Sequence, residues 1–174
     1  GDRLTAIMYR QKPEFSAKLH TAFRASLEEN GIALGDGRRA KTDPTDPYTY
    51  STKSIASAGA PVVYTYFESI GVRSHHNRSY YQPAVYAAYC YIAEASQKDC
   101  DYADRAVFGD NYEDSEMTIA ATPGDRWADA DDVYLRADEL KASIDDAIPK
   151  LAAMMAKSLA SELQRRVVKK PNND

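Results

Sequence analysis

The segment VRSHHNRSYYQPAVYAAYCY, residues 72–91, concentrates the side chains best suited to chemistry. It holds His75 and His76, two of the three histidines of the chain, and five of its thirteen tyrosines. Neighbouring imidazoles can ligate a transition metal or move a proton. On a strand, adjacent side chains point to opposite faces, so both histidines could serve one metal only from a loop. Such a site also needs two or more further ligands. The nearest acids are Glu68 and Glu94, and neither stands at a ligand spacing. The plainer reading of RSHHNRS is a polar surface loop. The alternative is a small hydrolase or metal-dependent enzyme using His75 or His76. Ser74, Ser79 and Ser161 are all outside a G-x-S-x-G frame, which leaves no nucleophile to name. The expectation is no catalytic residue, no metal and no cofactor.

A second cluster, PGDRWADADDVY, brings Asp125, Asp129, Asp131 and Asp132 close together. Calcium favours such oxygen-rich runs, but the frame of an EF-hand is absent. A helix begins soon afterwards, so these aspartates are better read as helix caps. Trp127, the only tryptophan, stands among them. Its indole either caps the core or stacks on a sugar or partner.

Cys90 and Cys100 are the only cysteines, with nine residues between them. That is not a C-x-x-C spacing. A disulfide between them would close a short loop and suits an oxidising compartment. Two free thiols are the alternative. Cys90 lies in an apolar segment, where a thiol is more often structural than reactive.

The 174 residues carry a net charge of −4, with a sequence pI near 5.4. This argues against a dedicated nucleic-acid binder, which usually presents a basic face. No stretch approaches the roughly 20 apolar residues of a membrane span. The chain opens on Gly1 without an initiator methionine. A removed signal or lipid-anchored leader is compatible with that, and would be the only link to a membrane.

The elements that must position these side chains follow from periodicity. RLTAIMYR alternates and reads as a first strand. Phe15, Leu19, Phe23 and Leu27 recur every four residues and form one helical stripe, stopped by Asn30-Gly31. Residues 35–59, rich in Gly, Asp, Pro, Thr and Ser, read as a long loop that could cover a ligand. APVVYTYFESIGV is apolar on both faces and reads as a central strand. AVYAAYCYIAEA, CDYADRAVFGD and SEMTIAATPGDRW read as three further strands. Leu140, Ile144, Ile148, Leu151, Met155, Leu159 and Leu163 mark a closing helix that Pro149 should kink or divide. The expected fold is α/β (α+β): a two-layer sandwich with a mixed sheet of about five strands and two main helices on one face. Residues 1–168 would form one domain and residues 169–174 a tail.

The order of TAIMY, FSAKLHTAFRASLEENGIAL and AIPKLAAMMAKSLASEL resembles small Gram-negative envelope lipoprotein domains, of the TolB N-terminal-domain and PelC types. These segments cover under half of the chain. The resemblance implies an extracytoplasmic protein, in the periplasm or at the outer membrane, that works through surfaces. It carries over no site residues.

Helices on one sheet face leave tyrosines on the other. Tyr64, Tyr66, Tyr86, Tyr89 and Tyr91, with Trp127, are therefore the expected binding surface. Its partner would be an envelope protein or a glycan, or a second copy of the chain, unless the loop at residues 35–59 folds back over it. A small-molecule site under residues 35–59 is a further alternative.

Overall fold

The computed structural model describes residues 2–35, 42–43, 46–50, 60–74, 79–94 and 99–169. His75, His76 and most of the loop at residues 35–59 fall outside these, as do residues 170–174 of the expected tail.

The chain begins with a helix, α1 (Asp2–Glu29), and not with a strand. Met8 is buried and stands seven residues before Phe15, so it extends the stripe of Phe15, Leu19, Phe23 and Leu27 by two turns. Leu4 and Met8 are four residues apart, a spacing that satisfies a period of two as well as a helical turn. The alternation was therefore ambiguous in so short a segment. Pro13 lies inside α1, on its exposed side. The helix stops where expected. Gly31 has φ +81°, its N–H donates to the Glu28 carbonyl at 3.0 Å, and Ile32 N–H donates to the Leu27 carbonyl at 3.0 Å. Ile32 then packs against the core, completing a left-handed C-terminal cap.

A short antiparallel ribbon follows, β1 (Thr42–Asp43) with β2 (Asp46–Tyr50). The main sheet comprises β3 (Val62–Ser74), β4 (Tyr81–Ile92), β5 (Tyr102–Gly109) and β6 (Met117–Ile119). Its order is β3-β4-β5-β6, antiparallel except for the parallel pair β5–β6. The sheet is thus mixed, with four strands where about five were expected, because the first segment is helical. β3 is also an edge strand among the described residues, not a central one. The central position belongs to β4, which is buried along almost its whole length.

The last third holds α2 (Ala130–Leu135) and α3 (Ala137–Lys169). α3 runs unbroken through Pro149, so the expected division does not occur. Pro149 faces solvent, and its ring stays out of the core. Leu140, Ile144, Ile148, Leu151, Met155 and Leu159 are fully buried. α1 packs along α3, and both cover the same face of the sheet, α1 over β3 and α3 over β4, β5 and β6. The architecture is an α+β, two-layer arrangement.

Polar contacts lock the two long helices together. Lys18 Nζ lies 2.6 Å from Asp145 Oδ1, and Lys141 Nζ lies 2.9 Å from Asp145 Oδ2 and 3.4 Å from Glu14. Burial pushes the Asp145 carboxyl up, but the hydrogen bonds from Lys18 and Lys141 outweigh it and hold the group below the ordinary carboxylate range. A folded-state pKa below the unfolded value stabilises the fold above about pH 4. That contribution is lost as pH falls through the lower, folded value. The melting temperature should therefore fall on acidification below about pH 4. Asp145→Asn should melt below wild type at pH 6, with the gap closing towards pH 2. A gap that is the same at both pH values would show that the carboxylate charge contributes nothing.

Cys90 in β4 and Cys100, just before β5, form a disulfide with Cα atoms 5.4 Å apart. It closes the β4–β5 hairpin, the pairing expected from the short spacing of the two cysteines. In the chain-entropy account a loop this short contributes about 2–3 kcal/mol. Reduction should lower the urea midpoint by the corresponding amount, and Cys90→Ala/Cys100→Ala should be insensitive to reductant.

Candidate functional site

Strand register decides where each tyrosine points. Directly opposed residues share a sheet face, and alternate residues along a strand change face. Val85, Ala87, Tyr89 and Tyr91 of β4 turn towards the helices. Gln82, Ala84, Tyr86, Ala88, Cys90 and Ile92 turn away. Tyr64 pairs with Cys90 and Tyr66 with Ala88, so both tyrosines of β3 are on the face away from the helices. A bulge then interrupts β3 between Phe67 and Ser69. It lets Phe67 and Ile70 both meet the core while Glu68 turns outward to Arg105.

Tyr64 and Tyr66 are half-buried, with ring centroids 5.8 Å apart. Burial raises the pKa of both phenols, so they stay neutral hydrogen-bonding groups well above physiological pH. Beside them Arg105 is bound between two carboxylates, Glu68 at 3.1 Å and Glu113. Tyr86 shares this face but is 1% exposed. Its hydroxyl donates to the Asp110 carbonyl at 2.9 Å and accepts from Tyr112 N–H at 2.9 Å. Its ring centroid lies 4.9 Å from that of Tyr112, which is 44% exposed and carries Arg73 on its ring.

The other expected surface residues sit elsewhere. Tyr89 packs on Phe23 under the helices, and its hydroxyl meets Ser158 Oγ at 3.1 Å. Tyr91 faces the helix side and stacks on Tyr102, which Arg166 covers. Trp127 is 1% exposed, wedged into the core where its backbone bonds to Tyr81 in both directions. The surface expectation is corrected for Tyr86, Tyr89, Tyr91 and Trp127. Tyr86 is sealed by the segment after β5, Tyr89 and Tyr91 face the helix layer, and Trp127 caps the core. The residues that sequence reasoning missed are Tyr112, Arg105 and Glu113. Tyr112 and Glu113 lie in the charged run after β5 and Arg105 inside β5, and nothing in the sequence joins them, since the contacts among them come from register and a turn.

The acidic cluster caps helices. Asp129 accepts from Asp132 N–H at 2.8 Å at the start of α2, and Asp132 accepts from Ala128 N–H at 2.9 Å. Asp125 accepts from the Thr122 N–H at 2.8 Å, the Thr122 hydroxyl at 2.7 Å and the Ser143 hydroxyl at 2.6 Å. Among the described residues, no three of His, Cys, Asp and Glu come together as metal ligands.

The same face ends in a cleft of about 510 Å³, between the start of β4, the end of β5 and the segment after β6. Gln82 and Asp110 are its buried groups, and Asp114 and Arg126 are its exposed ones. Gln82 Nε2 donates to Asp110 Oδ1 at 3.2 Å, and Arg73 Nε lies 3.9 Å from Asp110 Oδ2. Asn111, at the same wall, is committed to the turn. It donates to Ser115 O at 2.8 Å and Thr118 Oγ1 at 2.7 Å, and accepts from Ser115 N–H at 2.8 Å.

Compared with protein-family models, curated proteins and solved structures, the chain matches none. What is established is the class alone: a disulfide-bonded α/β fold. No helix among the described residues is long and apolar enough to cross a membrane.

Proposed function

We propose that this chain is a non-enzymatic, extracytoplasmic binding domain of the cell envelope, whose partner is a protein or a glycan. On the sheet face turned away from both helices, Ala84, Tyr86, Ala88, Cys90 and Ile92 of β4 are buried. The observation that carries the reading is the part of that face that stays open around β3 and the segment after β5. Tyr64, Tyr66 and Tyr112 are partly exposed there, beside an arginine held between two carboxylates. Tyrosine and arginine are enriched in recognition surfaces, because they combine apolar area with directional hydrogen bonds. Arg105 is prepositioned by Glu68 and Glu113, which reduces the side-chain ordering that binding must impose. The disulfide supports an oxidising compartment, where such bonds persist. A periplasmic or outer-membrane location belongs to the same proposal.

The test is site-specific photo-crosslinking in the envelope of the source cell. A crosslinker at position 66 should give a discrete adduct. One at position 142, an exposed site on α3, should give none. Tyr64→Ser together with Arg105→Ser should abolish the adduct formed from position 112 while far-UV circular dichroism is unchanged. Equal labelling from positions 66 and 142 would remove the support for a recognition face.

A further inference from the structure

We propose that the cleft at the end of β5 is a saccharide-binding subsite that takes a neutral sugar of about disaccharide size. Four observations lead to this chemistry. The first is size. A volume of about 510 Å³ lies within the roughly 300–1,000 Å³ of small-molecule sites. It is many times the roughly 30 Å³ share of one water molecule, and so is too large for a lone ion.

The second is lining. Apart from Gly109, Ala120 and Ala121, the described wall residues are polar or charged. A hydrocarbon or aromatic ligand would strip water from these groups without replacing its hydrogen bonds, which is unfavourable.

The third is charge. Among the described residues, the exposed ionic groups of the wall are one carboxylate, Asp114, and one guanidinium, Arg126, which offset each other. A phosphate or a polyamine would meet no matching excess of charge.

The fourth is the complementarity of the two exposed groups. Among the described residues neither Asp114 nor Arg126 has an ion-pair partner. The Arg126 guanidinium is held over the Tyr80 ring at 4.7 Å. One group only accepts hydrogen bonds and the other only donates them. A sugar hydroxyl does both, so the several hydroxyls of one saccharide can serve an acceptor-only and a donor-only group in the same cleft. Deeper in, Gln82 and Asp110 are each 5% exposed; Gln82 is fixed by its pairing with Arg73 of β3, and Asp110 by its N–H donating to the Pro83 carbonyl at 2.7 Å. Groups already held in place bind hydroxyls without further ordering.

This subsite does not depend on the tyrosine face, and either can fail alone. The experiment is an amide-correlation NMR titration of the chain with maltose, cellobiose, lactose and N,N′-diacetylchitobiose. Glycylglycine and inorganic phosphate serve as comparators. Saturable shifts should appear at Gly109, Asp110, Asp114 and Arg126 with at least one disaccharide. Asp114→Asn and Arg126→Gln should each weaken that binding at least ten-fold, with the remaining spectrum unchanged. Both are surface positions, so folding is not at stake. Tyr64→Ser/Tyr66→Ser should leave it intact. Saturation by glycylglycine or phosphate but by no sugar would assign the cleft to a zwitterion or an anion and overturn the proposal. Shifts from none of the six at tens of millimolar would overturn it as well.

Discussion

Gly109→Ala is expected to destabilise the folded chain by about 2–5 kcal/mol. Two costs act at this residue. Its φ is +92°, in the region where an L-residue pays about 1–2 kcal/mol. A Cβ there would also stand 1.9 Å from the Pro83 carbonyl oxygen, a backbone atom that cannot rotate away. That carbonyl accepts the Asp110 N–H at 2.7 Å, and the neighbouring residue Ala84 pairs with Gly109 itself. Relief would require parting β4 from β5 at the centre of the sheet, and overpacking of this kind costs about 1–3 kcal/mol more. The glycines supply their own controls. Gly31 has φ +81° but nothing within 4 Å of its added Cβ, so Gly31→Ala should show only the conformational cost. Gly71 has neither constraint, and Gly71→Ala should change stability little. Urea melts of the three variants should rank in that order. Equal losses at Gly109 and Gly31 would refute the close approach to Pro83.

Trp127→Ala should cost about 3–5 kcal/mol, the range for truncating a buried large aromatic. The side chain belongs to the same buried cluster as Phe15, Val85, Val133 and Leu140, and Arg136 lies 5.8 Å above the ring. Its backbone closes a bridge to Tyr81, with Tyr81 N–H to Trp127 O at 2.8 Å and Trp127 N–H to Tyr81 O at 3.0 Å. The indole thus fastens the turn before α2 to the start of β4. Trp127→Phe should cost distinctly less, because no hydrogen bond from Nε1 is lost among the described residues. Unfolding followed by circular dichroism measures both, since Trp127 is the only tryptophan and its fluorescence disappears in the variants. A loss below about 1 kcal/mol for Trp127→Ala would mean that the side chain is a surface residue after all.

Features governed by near neighbours in the chain were legible from the sequence. The α3 stripe from Leu140 to Leu163 follows from helical period, and the Asn30-Gly31 stop from the left-handed freedom of glycine. The β4–β5 hairpin and its Cys90–Cys100 bond follow from two strand-like runs and a short spacing. The aspartates before α2 act as caps because a nearby helix start leaves N–H groups to satisfy.

Other features depended on partners far along the chain. Leu4 and Met8 fit two periods in the sequence, and α1 as a whole packs along α3 as a helix. β3 is apolar on both faces for two unrelated reasons, the helix layer on one side and tyrosines on the other. Its pattern therefore imitated a central strand. Tyr86, Tyr89 and Tyr91 are alike in sequence context, yet one is sealed by residues 110–112 and two face the helix layer. The cleft joins Gln82, Asp110, Asp114 and Arg126 from separate segments. A strand's period reveals that its faces differ, but which face is covered depends on where distant helices pack, and only the tertiary structure decides that.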